Sequence, residues 1–114
     1  MGPDTDFIIV LTTFPVDAEG TAQAVEQLAR TLVEERLAAC VNILGPMRSI
    51  YSWKGQLETA NERQLVIKTT RERLKELESR LLELHPYDTP EFLVLPVSDG
   101  FPKYLNWLAE NTIK

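Results

Sequence analysis

The 114 residues include a single cysteine, a single histidine and only five glycines, and each scarcity excludes a class of site. Cys40 stands alone, so the chain has no internal disulfide and no CxxC zinc framework. His85 stands alone too, so no site with several imidazoles is built within one subunit. Neither GxGxxG nor GxxxxGK[ST] occurs, which removes the glycine-rich phosphate cradles. With no Gly-x-Ser-x-Gly, no nucleophile–base pair is recognisable, and the chain is not expected to be an enzyme. No apolar run is long enough to span a bilayer. The N-terminal residues Met1 to Asp6 are acidic where a signal peptide would be basic, and Asp6 breaks the myristoylation pattern. A cytoplasmic protein without a membrane partner is expected.

What is present is ordinary for one globular domain: 44% hydrophobic, 25% charged and 8% aromatic residues. Twelve Lys and Arg against seventeen Asp and Glu leave a net charge of −5. The excess is even, four basic against seven acidic residues up to Leu57 and eight against ten after it. Such a chain repels phosphate backbones, so nucleic acid is not an expected partner. One domain over residues 1–114 is predicted, with 1–6 as a disordered tail and a radius of gyration of about 13 Å.

The seven prolines punctuate rather than interrupt the patterned segments. Phe7 to Thr13 reads as a buried strand. Apolar residues at Val25, Leu28, Ala29, Leu32 and Val33 predict a helix from Ala18 to about Leu37, with Asp17 as N-cap. Ala38 to Lys54 and Gln56 to Thr69 read as two extended arms around a turn at Gly55, with a bend or bulge at Gly45-Pro46. Thr69 and Glu72 have the spacing of a capping box before a helix with Leu74, Leu77, Leu81 and Leu84 as its seam. That helix must stop near His85, because the residue before Pro86 disfavours helix. Phe92 to Leu95 reads as a buried strand, and Pro102 opens a last short helix.

The order β-α-β-β-α-β plus a C-terminal helix is an α+β, ferredoxin-like pattern with a long central hairpin. Each hairpin arm has roughly 14 to 17 residues, or about 50 Å of strand. Its neighbours are about half that length, so two helices leave the far end uncovered, with Met47, Ile50, Tyr51, Trp53 and Leu57. Aromatic surface on a long edge strand predicts an oligomer that packs through this hairpin.

Five motifs in register then resemble one family. They are Glu35-Arg36-Leu37-Ala38-Ala39-Cys40-Val41-Asn42, Tyr51-x-Trp53-x-Gly55, Leu65-x-Ile67-Lys68-Thr69, His85-Pro86-Tyr87-x-x-Pro90-Glu91 and Tyr104-x-x-Trp107-Leu108. Together, from about Ile8 to Leu108, they resemble CutA, the divalent-cation tolerance family. The resemblance implies a compact homotrimer of PII-like architecture. It also implies that Cu(II) or another divalent cation is bound between subunits, with no organic cofactor. Some copper-linked members place a cysteine where Thr12 stands and a His-His pair where Leu84-His85 stands. Only one of those three ligands is kept here, which weakens a copper site built on imidazole and thiolate.

His85 is the principal candidate ligand, at a helix end that favours imidazolium; the alternative is a histidine capping helix carbonyls. Cys40 is either a second, soft ligand or a small buried hydrophobe. Glu62 and Glu91 are either oxygen donors or charges on a strand face and a strand end. Lys68 interrupts an apolar strand, and either pairs with a carboxylate or holds an anion in the cleft. Tyr51, Trp53, Tyr104 and Trp107 are interface and core aromatics whose polar atoms can reach into a cleft. The resulting expectation is a non-catalytic homotrimer that binds divalent metal, with His85, Cys40 and Glu62 as ligands. The alternative is a PII-like regulatory module that holds a small anion or nucleotide through Lys68 and the cleft aromatics.

Overall fold

A computed structural model describes residues 6–16 and 20–113. The chain runs β1 (Phe7–Pro15), α1 (Thr21–Glu34), β2 (Cys40–Trp53), β3 (Gln56–Thr70), α2 (Leu74–Leu84), β4 (Leu93–Pro96) and α3 (Pro102–Glu110), with a 3-10 turn at Arg71–Arg73 before α2. The four strands form one antiparallel sheet in the order β2-β3-β1-β4. With α1 and α2 as the crossovers, this is the ferredoxin-like α+β arrangement that the sequence pattern predicts.

Alternation along the central strands decides where the core lies. Ile8 and Val10 of β1 stand opposite Thr69 and Ile67 of β3, and Leu65 follows two residues on; all five side chains are buried. On this face Val25, Leu28 and Leu32 of α1 and Leu77 and Leu81 of α2 close the core. Each such residue contributes roughly 1.5–3 kcal/mol by leaving water. Arg36 and Arg73 then clamp the layers together. The buried Arg73 donates through Nε to the Arg36 carbonyl and through Nη1 to Glu76, while Arg36 Nε donates to the Ile113 carbonyl beyond α3.

The hairpin outgrows this core. β2 and β3 have 14 and 15 residues against nine in β1 and four in β4. Ladder pairing with β1 ends at Glu62 opposite Pro15, and Val16 N–H still donates to the Asn61 carbonyl, so among the described residues β3 from Gln56 to Ala60 has only β2 beside it. Ile50 and Leu57 on this overhang are 67% and 79% exposed. The radius of gyration is 14.9 Å, with extents of 44 × 27 × 23 Å, because of this projecting ribbon.

Two features shape it. Lys54 and Gly55 both have positive φ, 51° and 79°, the two-residue turn whose twist matches that of a hairpin. At Gly45-Pro46 the register jumps from Leu44 opposite Gln64 to Met47 opposite Glu62, which is a bulge. Gly45 has φ 115°, and a Cβ there would lie 3.2 Å from the Glu62 carbonyl oxygen.

Several sequence expectations need correction. The Thr69 hydroxyl donates to the buried Leu37 carbonyl at 2.7 Å rather than capping a helix, and Thr70 is the residue before the 3-10 turn. β4 is an edge strand, not a buried one: Leu93 and Leu95 are 54% and 46% exposed. Asp6 belongs to the fold, since its carbonyl accepts from Arg71 N–H, while residues 1–5 lie outside the described residues. α1 begins at Thr21 with Gly20 as its N-cap; Asp17 and Ala18 lie outside the described residues.

Candidate functional site

β4 pairs with β1 only as far as Leu11 opposite Leu93, which leaves the second half of β1 without a strand on that side. The segment from His85 to Phe92 passes along this gap on its way from α2 to β4. His85 sits at the joint. Its Nδ1 accepts the Tyr87 backbone N–H at 3.1 Å, so the ring proton is on Nε2, which donates to the Thr13 carbonyl at 2.6 Å. The ring packs between Phe14 and Tyr87, with centroids 5.3 and 5.1 Å away, and the residue is only 7% exposed.

This overturns the expectation of an imidazolium at a helix end. Burial lowers the His85 pKa, opposed by the Thr13 carbonyl and the Glu62 charge, so the neutral ring is favoured. Both nitrogens are already engaged. His85 therefore fastens the α2–β4 connection to β1, and no lone pair is left to face a metal ion. The carbonyl it caps belongs to β1, not to a helix.

In front of His85 lies an open cleft of about 640 Å³. Tyr51 and Trp53 come from the far half of β2, Glu62 from β3 beside the bulge, and Tyr87, Asp88 and Glu91 from the α2–β4 connection. Glu62 is 5% exposed, and its Oε2 accepts from the Tyr87 hydroxyl at 2.8 Å. Gln64 donates through Nε2 to Glu91 at 3.0 Å and to the Thr12 carbonyl at 2.8 Å. Among the described residues, three carboxylates line the cleft and no Lys, Arg or His does.

Four of the predicted site residues thus share one cavity: Tyr51, Trp53, Glu62 and Glu91. The others do not. Cys40 and Lys68 pair with each other across β2 and β3, six residues along β3 from Glu62, or about 20 Å. Lys68 is therefore not placed to hold an anion in this cleft. Tyr104 and Trp107 pack on one another on α3, 5.4 Å apart and away from the cleft. His85, Cys40 and Glu62 do not converge, and no group of three His, Cys, Asp or Glu side chains among the described residues can hold a metal ion.

Tyr87, Asp88 and Gln64 are site residues that the sequence reading did not single out. Tyr87 stands in the His85-Pro86-Tyr87 motif, yet nothing in one dimension shows that its hydroxyl reaches β3. Thr12 is fully buried, with a hydroxyl that has no hydrogen-bond partner among the described residues.

The fold is thus a ferredoxin-like α+β domain whose long hairpin and α2–β4 connection border an acidic cleft lined by aromatic residues. The model of the CutA1 divalent ion tolerance protein family matches residues 8–111, and the chain belongs to that family, whose members are not enzymes. The divalent-cation tolerance protein CutA of Pectobacterium atrosepticum is 46% identical over 93% of this chain and 92% of its own length. The structure of the Thermus thermophilus divalent cation tolerance protein superposes with a TM-score of 0.85 at 42% identity, covering 93% of this chain and 98% of that one. CutA from Xylella fastidiosa gives 0.87 at 39% identity, over 95% and 99%. No helix among the described residues is long and apolar enough to cross a membrane.

Proposed function

We propose that this protein acts in the cytoplasm as a non-catalytic homotrimer in divalent-cation tolerance, and that copper or another divalent ion is its ligand at the acidic cleft. The observation that carries the reading is charge: Glu62, Asp88 and Glu91 line the cavity without a basic side chain among the described residues. Two of the three carboxylates, on β3 and on the α2–β4 connection, serve as oxygen donors, and the remaining donors come from a neighbouring subunit. Trimer formation is supported by the hairpin overhang, whose apolar residues and open β2 edge need a partner to leave water. His85 acts by positioning Tyr87, and through it Glu62, rather than by ligation. Oxygen donors bind Cu(II) less tightly than imidazole or thiolate, so affinity is expected to be modest.

The test combines light scattering with calorimetry at pH 7.5. Three subunit masses, and a Cu(II) or Zn(II) isotherm lost in Glu62→Gln and Glu91→Gln but kept in Cys40→Ala, are expected. A monomer at micromolar concentration overturns the trimer. Metal heats that are unchanged by both carboxylate variants overturn the site.

The anion or nucleotide alternative finds no support at this cleft, because phosphate would meet three carboxylates and Lys68 lies elsewhere.

A further inference from the structure

The cleft has walls that a bare metal ion does not use. Tyr51, Trp53 and Tyr87 are three aromatic rings around one cavity, whose 640 Å³ falls in the range of sites for small organic molecules. The rings stand beside carboxylates whose hydrogen-bond partners among the described residues are neutral. Glu62 has the Tyr87 hydroxyl, Glu91 the Gln64 amide and Asp88 the Thr89 hydroxyl. None of the three is in an ion pair among the described residues. Glu62 is the most telling, since a carboxylate only 5% exposed is seldom left without a counter-charge. His85, behind it, is held neutral by burial and supplies none.

Aromatic faces attract cations, and most strongly those that bring apolar surface with them. Trp53 already has one such neighbour: the Nζ of Lys54 lies 5.7 Å from its ring centroid, outside the cleft lining. Glu62 is a buried carboxylate with no cation beside it among the described residues, and it lines the same cavity as three aromatic rings, a combination that selects charge and hydrocarbon together. We propose that the cleft binds a protonated aliphatic amine, its nitrogen on the Glu62 carboxylate and its carbon skeleton against Tyr51, Trp53 and Tyr87. The site is distinct in chemistry from a divalent-ion site, although the two ligands compete for Glu62.

The test uses full-length, metal-free protein at 150 mM NaCl, so that the fate of the divalent-cation reading does not decide it. 1,4-Diaminobutane is titrated by calorimetry, and by tryptophan fluorescence in a Trp107→Phe background that leaves Trp53 as the reporter. 1,4-Butanediol serves as the neutral isostere. Saturable binding of the diamine and none of the diol is expected. Glu62→Gln should weaken it at least tenfold and Trp53→Leu several-fold, while Lys68→Ala leaves it unchanged. Trp53 is partly exposed, so its variant keeps the test valid if Glu62→Gln does not fold. No saturable diamine binding overturns the proposal. So does an equal response to the diol, or an affinity that neither variant alters.

Discussion

The ring of His85 joins two elements that are 72 residues apart: its Nε2–H donates to the carbonyl of Thr13 at 2.6 Å. That bond takes the place of a strand partner where β4 has already ended, and it positions the connection that carries Tyr87, Asp88 and Glu91 into the cleft. A histidine that looks like a ligand in the sequence is thus a fastener in the fold.

The first prediction concerns pH. Burial holds the folded-state pKa of His85 below the usual imidazole value, so the unfolded chain binds the proton more readily. The His85 contribution to stability is complete above the unfolded pKa and is lost as pH falls through the folded one. Urea midpoints should therefore decline between pH 7.5 and pH 5, and His85→Gln should flatten that part of the profile. His85→Ala should cost about 2–4 kcal/mol at pH 7.5, from the cavity and the two lost hydrogen bonds.

Thr12 gives a change in the opposite direction. Its hydroxyl is buried with no partner among the described residues, and a buried polar group in that state costs roughly 1–3 kcal/mol. Thr12→Val keeps the shape and removes the orphan, so a gain of about 1 kcal/mol in denaturant unfolding is expected.

The two hairpin glycines should respond differently. Gly45→Ala places a methyl group 3.2 Å from backbone atoms at φ 115° and should destabilise by more than about 1 kcal/mol. Gly55 meets nothing within 4 Å in a turn that tolerates asparagine, so Gly55→Asn should stay within about 0.5 kcal/mol. Thermal unfolding of the two variants under one condition makes the comparison.

At the hairpin overhang, Ile50→Lys combined with Leu57→Lys puts two charges where apolar surface is exposed in the single subunit. Light scattering should then report a smaller assembly than the parent protein, while circular dichroism shows the subunit fold retained. An unchanged mass would remove the overhang from the interface.

Much of the fold is legible in one dimension, because periodicity and punctuation are local properties. Val25, Leu28 and Leu32 announce a helix face, and Gly55 marks the hairpin turn. Gly45-Pro46 marks the bulge, and Pro86 the end of α2. The readings that fail are those in which a partner far along the chain intervenes. Thr69 has a capping spacing, but the Leu37 carbonyl takes its hydroxyl. Leu93 and Leu95 look like core residues, yet β4 lies at the sheet edge and only Val94 between them packs on the core, which leaves both leucines exposed.

The candidate site divides in the same way. Tyr51, Trp53, Glu62 and Glu91 were each visible as residues of the right chemistry, and the cleft gathers all four. Cys40 and Lys68 had equally suitable chemistry, but strand register sets them about six residues from Glu62 along β3.

The sequence by itself determined the element order, the family and the excess length of the hairpin, since each follows from residue type and spacing alone. Tertiary structure decided which side chains share a cavity and which charges they keep. Those depend on strand register, on where β4 stops, and on the burial that neutralises His85, and each is set by residues distant in the chain.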